Sequence, residues 1–222
     1  MAEPVQAAEI PFHHFVSIEQ QHEAARLGMW FFLATETLLF GGIFTSFTVY
    51  HSLYPETFAA ASLRLAWVLE AVNTVVLLSS GFTMALVEHY ARDLDRKRII
   101  RFLIFTMLLG LTFLVLKGFE YRGDYVAGTV PFLEGGWHYH GPDPARAQLF
   151  YNFYFLLTGV HATHMIVGIS LLGLLLLRTW WWHKPFNVRR MLTAVGLFWA
   201  FIDVVWLFIY SSLYLIHRGG AV

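Results

Sequence analysis

Leu27-Gly-Met-Trp-Phe-Phe-Leu-Ala-Thr-Glu-Thr-Leu-Leu-Phe-Gly-Gly-Ile-Phe-Thr-Ser-Phe-Thr-Val-Tyr50 decides the fold. The run is apolar over the ~20 residues that a helix needs to cross the hydrocarbon core of a bilayer. One carboxylic acid, Glu36, sits near its centre. At a rise of ~1.5 Å per residue, Glu36 lies roughly 14 Å in from Leu27, close to the membrane midplane. Charge is expensive there, so an intramembrane acid faces a protein interior or a wet cavity. Two readings of Glu36 follow: a side chain hydrogen-bonded to a neighbouring helix as packing glue, or a functional acid whose partners lie on other helices.

Four more apolar runs follow, at about Ala66–Tyr90, Ile99–Phe119, Leu149–Leu177 and Met191–Ile216. The pattern predicts an all-α, polytopic membrane protein, a bundle of five transmembrane helices over 27–50, 66–90, 99–119, 149–177 and 191–216. Composition agrees, with 57% hydrophobic and 14% charged residues, far below the ~25% charged of a soluble domain. Zero formal net charge gives no footprint for nucleic acid. The absence of cysteine removes disulfides, thiolate nucleophiles, iron–sulfur clusters and cysteine-ligated copper.

Residues 1–26 read as a polar, acidic cytoplasmic segment ahead of a 27–217 membrane domain. That segment has no basic n-region followed by a short apolar core, so it does not read as a cleavable signal. Ser17, with Gln20 three residues on, has capping-box spacing for a lead-in helix over Ser17–Arg26. The Gly/Pro-rich stretch from Gly123 to Pro144 is too long for a tight turn and reads as functional or docked on a partner. Basic residues set the orientation. With the N-terminus inside, that side collects Arg26, Arg92, Arg96, Lys97, Arg98, Arg101, Arg178, Lys184, Arg189 and Arg190. The other keeps Arg64, Lys117, Arg122, Arg146 and Arg218. Ten against five, out of the 15 Lys and Arg, places the N-terminus in the cytoplasm and the C-terminus in the periplasm or its equivalent.

Depth counting then picks out a polar layer. His161 and His164 share a face at i, i+3. Asp203 lies at a depth similar to His161 on the last helix, so Glu36, His161, His164 and Asp203 form one candidate set near the midplane. Asn73, Thr74, Thr106 and Thr112 add polarity, and Glu120 closes the third apolar run on the outer side. Two histidines on one face of one helix cannot take opposite axial positions on a haem, and no Glu-x-x-His pair repeats on two helices as in a bundle di-iron site. The histidines therefore read as hydrogen-bonded packing groups or carboxylate partners. His13, His14, His138 and His140 fall in the tail and the long loop. His51, His89 and His217 lie near helix ends as interfacial anchors.

Five blocks carry a resemblance: Leu27-Gly-Met-Trp-Phe-Phe-Leu-Ala-Thr-Glu36, Asn73-Thr-Val-Val-Leu-Leu-Ser-Ser-Gly81, Phe119-Glu-Tyr121, Phe153-Tyr-Phe-Leu-Leu-Thr-Gly-Val-His161-Ala-Thr-His164 and Asp203-Val-Val-Trp-Leu-Phe208. Together, in this order, they resemble subunit III of cytochrome c oxidase and its relatives, over about Glu19 to His217. The resemblance implies a bacterial inner-membrane oxidase oxidising cytochrome c or quinol, with haems and copper in a partner catalytic subunit I. This chain would be a subunit without a redox centre that contacts subunit I and other oxidase subunits, binds phospholipid and helps sustain proton uptake. It places Glu36 on the family's carbodiimide-reactive acid, and His161 and Asp203 on polar positions of later helices. It implies the short five-helix form, without the first two helices of longer members. At Trp199-Ala-Phe-Ile-Asp203 the chain departs, with Ala200 where the family commonly has His. Two alternatives share parts of the pattern: the five-helix accessory protein associated with nitric oxide reductase, and a self-contained proton or ion conduit through Glu36, His161 and Asp203.

Overall fold

A computed structural model describes residues 16–93, 95–132, 137–181 and 185–215, without the side chains at 18, 22 and 185–190. The readings of His13, His14, Lys184, His217 and Arg218 lie outside the described residues. The elements are α1 (Ile18–Leu53), α2 (Pro55–Ser62), α3 (Trp67–Arg92), α4 (Arg96–Val126), α5 (Pro144–Trp180) and α6 (Pro185–Tyr210), closed by a π-helical turn, Ser211–Leu215. Five of these helices are long and apolar enough to cross a membrane. The fold is thus the all-α, five-span architecture that the apolar runs predict.

Several boundaries move, each for a local reason. The lead-in over Ser17–Arg26 is the start of α1 itself, since nothing between Arg26 and Leu27 breaks the helix. Its cap is reciprocal: the Gln20 amide donates to Ser17 Oγ at 3.2 Å while Gln20 Oε1 accepts from the Val16 amide at 3.0 Å. Pro55 opens a short helix, α2, where a proline at the first turn loses no helical hydrogen bond. Asp143 caps α5 by accepting from the Arg146 amide, again with proline just inside. The third run does not end at Phe119. It continues as α4 to Val126, so Glu120 lies within the helix and does not close it.

The chain divides into two compact units, residues 1–39 and 40–222. In the first, α1 presents Trp30, Phe31 and Leu38 exposed, as a lipid-facing span would. In the second, α3 packs on α4, α4 on α5, α5 on α6 and α6 back on α3, a closed ring of four helices. Beside this ring, Phe47 of α1 meets Phe58 of α2 and Phe150 and Phe153 of α5.

Small residues let the ring close. Trp199 is fully buried, its indole N–H donating to Ser80 Oγ at 3.1 Å. Its ring lies so close to Gly110 of α4 and Gly168 of α5 that a Cβ there would stand 2.9 and 3.0 Å from it. One heptad on, the Trp206 indole donates to Thr74 Oγ1 at 3.0 Å. Along the same α3–α6 seam the Asp203 carboxyl rests on Gly81, and the Glu88 carboxyl rests on Gly196. Seven residues separate the members on both helices (81 to 88, 196 to 203), as an antiparallel seam requires. Without hydrophobic force between helices in lipid, close approach at small residues supplies the packing.

The described parts of the 127–143 stretch, 127–132 and 137–143, fold against their own chain, with Thr129 paired to Trp137. Gly128 takes φ 68°, and its carbonyl accepts from the His138 amide at 2.7 Å. The Arg64 guanidinium lies 4.5 Å over the Tyr139 ring and donates to the His140 carbonyl at 2.8 Å. Burial raises the Tyr139 phenol above its usual range, and the Arg64 charge opposes that shift.

Candidate functional site

The densest buried polar chemistry lies at the end of the ring where α3 begins and α4 ends. On α4, Lys117, Glu120, Tyr121 and Asp124 recur at i, i+3, i+4 and i+7, one face of a helix. On α3, Glu70, Asn73 and Thr74 recur at i, i+3 and i+4. Packing these faces together brings an ion cluster into the core: Glu70 is 0%, Lys117 2% and Glu120 6% exposed. Lys117 Nζ donates to Glu120 Oε2 and, at 2.8 Å, to the Tyr214 hydroxyl, and stands 3.7 Å from Glu70 Oε1. The Tyr214 hydroxyl donates onward to Glu120 at 3.0 Å. Asn73 Nδ2 donates to Glu70 Oε2 at 3.3 Å and to the Phe113 carbonyl at 3.4 Å.

Aromatic rings enclose the ammonium. Its Nζ lies 5.0 Å from the Tyr154 ring centre, 5.3 Å from Trp206, 5.4 Å from Tyr214 and 5.5 Å from Tyr121. Their π faces add cation–π attraction where water is excluded. Two further pairs fasten the rim. The Tyr121 and Thr158 hydroxyls meet at 2.7 Å, and the Tyr154 hydroxyl donates to Asp124 Oδ2 at 2.8 Å. The cluster thus ties α3, α4, α5 and the closing π-turn into one network. Sequence reading placed Lys117 among the flanking charges and passed over Glu70. The signal available was the shared helical face of Lys117, Glu120 and Tyr121.

The predicted residues fall elsewhere. Glu36 is half-buried on α1, within the first unit. His161 is fully buried, but neither ring nitrogen has a hydrogen-bond partner among the described residues. The expected carboxylate pairing of His161 is therefore not found, and its contacts are aromatic: Phe113 at 5.5 Å and Trp206 at 5.0 Å between ring centres. His164 Nδ1 pairs with the Val160 carbonyl one turn back at 2.8 Å, and its ring stands 5.3 Å from Phe40. Asp203 is buried against Gly81, away from hydrogen-bond reach of His161. Thr106 bridges to Thr83 of α3 at 2.8 Å, while Thr112 bonds its own helix. Among the described residues, no group of three or more His, Cys, Asp or Glu converges to hold a metal ion.

The chain matches the family described as Cytochrome c oxidase subunit III over residues 7–141 and 145–217, which takes in every span. It belongs to the cytochrome c oxidase subunit III family. Among relatives named cytochrome c oxidase subunit 3, that of Salmo salar is 30% identical over 213 residues, 91% of this chain and 72% of the relative. Those of Latimeria chalumnae and Sus scrofa are each 31% identical, over 212 and 209 residues. The chain is accordingly subunit III of a haem–copper oxidase, a multi-pass membrane protein of the respiratory chain that forms a complex with other oxidase subunits. The Ala200 side chain is exposed on α6.

Proposed function

We propose that this subunit III carries no redox centre of its own and sustains turnover of a catalytic subunit I that holds the haems and copper. The match to the subunit III family across all five spans carries the reading, and the lack of cysteine agrees with it. The 27–217 span then acts as one membrane domain in a bacterial inner membrane, with the N-terminus inside. Lys117 is buried and drops out of the charge count, so the bias becomes ten against four (five less one).

Phospholipid has a fitting surface. The second half of α1 presents an open face of Phe44, Thr45, Thr48, Val49, Ser52 and Leu53. Its hydroxyls bond carbonyls of their own helix, Thr45 to Gly41, Thr48 to Phe44 and Ser52 to Thr48. That leaves an apolar wall suited to acyl chains. His161, His164 and Asp203 are polar groups of the later spans, and Glu36, the acid of the first apolar run, keeps the packing around lipid and the proton-entry region in order.

Paired variants test that role. Glu36→Gln keeps shape and hydrogen-bonding capacity, so assembly and most oxygen reduction should persist. Glu36→Leu deletes the polar tip and leaves its partner unsatisfied at ~1–3 kcal/mol, so the complex should assemble less well or lose activity over sustained turnover. Oxygen consumption and proton pumping, followed from the first turnovers onward, read both effects. A Gln variant that assembles normally yet pumps no protons at the outset would show Glu36 to be an obligatory proton carrier.

A further inference from the structure

The Glu70–Lys117–Glu120 cluster holds two carboxyls and one ammonium in a site closed to water. Ionising all three would seal an uncompensated negative charge in the core, which proteins avoid by neutralising one group. The surroundings supply no second cation among the described residues. Asp124, Tyr121, Tyr154, Tyr214 and His161 are the other titratable groups around it, Trp206 is the contribution of α6, and Arg122 is exposed.

Two of the three ammonium N–H donors are committed, and Nζ stands 3.7 Å from Glu70 Oε1, beyond hydrogen-bond distance. Lys117 donates to Glu120 and Tyr214, Tyr214 to Glu120, and Asn73 to Glu70 Oε2 and the Phe113 carbonyl. Glu70 Oε1 is left without a hydrogen-bond donor although it is fully buried. The Glu70 and Glu120 carboxyls flank the same ammonium, with Lys117 Nζ 3.7 Å from Glu70 Oε1 and bonded to Glu120 Oε2. A proton held by this pair of carboxyls would leave one negative charge to balance Lys117. We propose that the folded chain binds one proton at this cluster, shared between the Glu70 and Glu120 carboxyls. Neither family membership nor the midplane layer assigns such a site.

The test is infrared spectroscopy of the full-length chain in lipid nanodiscs, reading the carbonyl stretch of protonated carboxyls and its shift in D2O. Labelling with ¹³C-glutamate separates this component from aspartate. Glu70→Gln and Glu120→Gln should each remove one protonated glutamate per chain, because the remaining carboxylate then balances Lys117 alone. Lys117→Met should add one, and Asp203→Asn should leave the component in place. Should Glu70→Gln fail to accumulate, Glu120→Gln and Lys117→Met carry the same test. The proposal is overturned if both glutamine variants keep the component, if only one removes it, if Lys117→Met leaves the count unchanged, or if Asp203→Asn abolishes it.

Discussion

Lys117→Ala should be the most damaging single change in the second unit, destabilising it by ~3–5 kcal/mol, the usual consequence of removing one member of a buried ion pair. The ammonium is 2% exposed and serves Glu120, Tyr214 and Glu70 together. Its loss leaves two buried carboxyls without their shared ammonium and empties the cage of Tyr121, Tyr154, Trp206 and Tyr214. The penalty comes from stranded partners more than from lost attraction. Combining Lys117→Met with Glu70→Gln and Glu120→Gln should therefore recover much of it, since replacing a whole buried ionic group is often close to neutral. Thermal unfolding in detergent and yield of the assembled complex measure both variants. Additive damage in the triple variant would show that the three side chains do not act as a unit.

Trp199→Ala should cost about as much, ~3–5 kcal/mol, the range for truncating a large buried aromatic. Trp199 sits where three helices approach it, beside Ser80, Gly110 and Gly168. In lipid the helices have no hydrophobic drive to collapse into the gap, so lost packing contacts are not regained. Trp199→Phe loses the bond to Ser80 and the outer indole edge that meets Gly110 and Gly168 but keeps an aromatic ring, so its effect should fall between the ~0.5–1.5 kcal/mol of one hydrogen bond and the alanine value. Unfolding midpoints of the two variants, set beside wild type, give the comparison. Equal effects would mean that the indole's outer edge and its hydrogen bond, and not the remaining ring, hold the slot closed.

The five spans were legible because apolar length is a strong signal: nothing but a helix bundle accommodates five such runs with few charges. The helix ends were less so. α4 passes through Glu120-Tyr-Arg-Gly-Asp because those polar residues find partners on α5 and the π-turn, a tertiary fact that hydropathy does not carry. Depth counting marked His161 and Asp203 as buried, but depth does not give azimuth. His161 turns to Phe113 and Trp206, and Asp203 to Gly81, so one layer does not make one network. Lys117 was counted as a flanking charge because it lies near a helix end. Its face, shared with Glu120 and Tyr121, pointed inward. Glu70, in the first turn of α3, was passed over because a single acid at a helix start reads as a solvated end.

The central claim is that this chain is subunit III of a haem–copper oxidase, working beside a catalytic subunit that holds the metals. Affinity purification of the tagged full-length chain from native membranes, in mild detergent, tests it most directly. The account predicts a complex with haem absorbance, stoichiometric copper and oxygen consumption, in which the haems and copper map to a different polypeptide. Recovery with a nitric oxide-reducing complex, or haem or copper bound stoichiometrically to this chain itself, would contradict it.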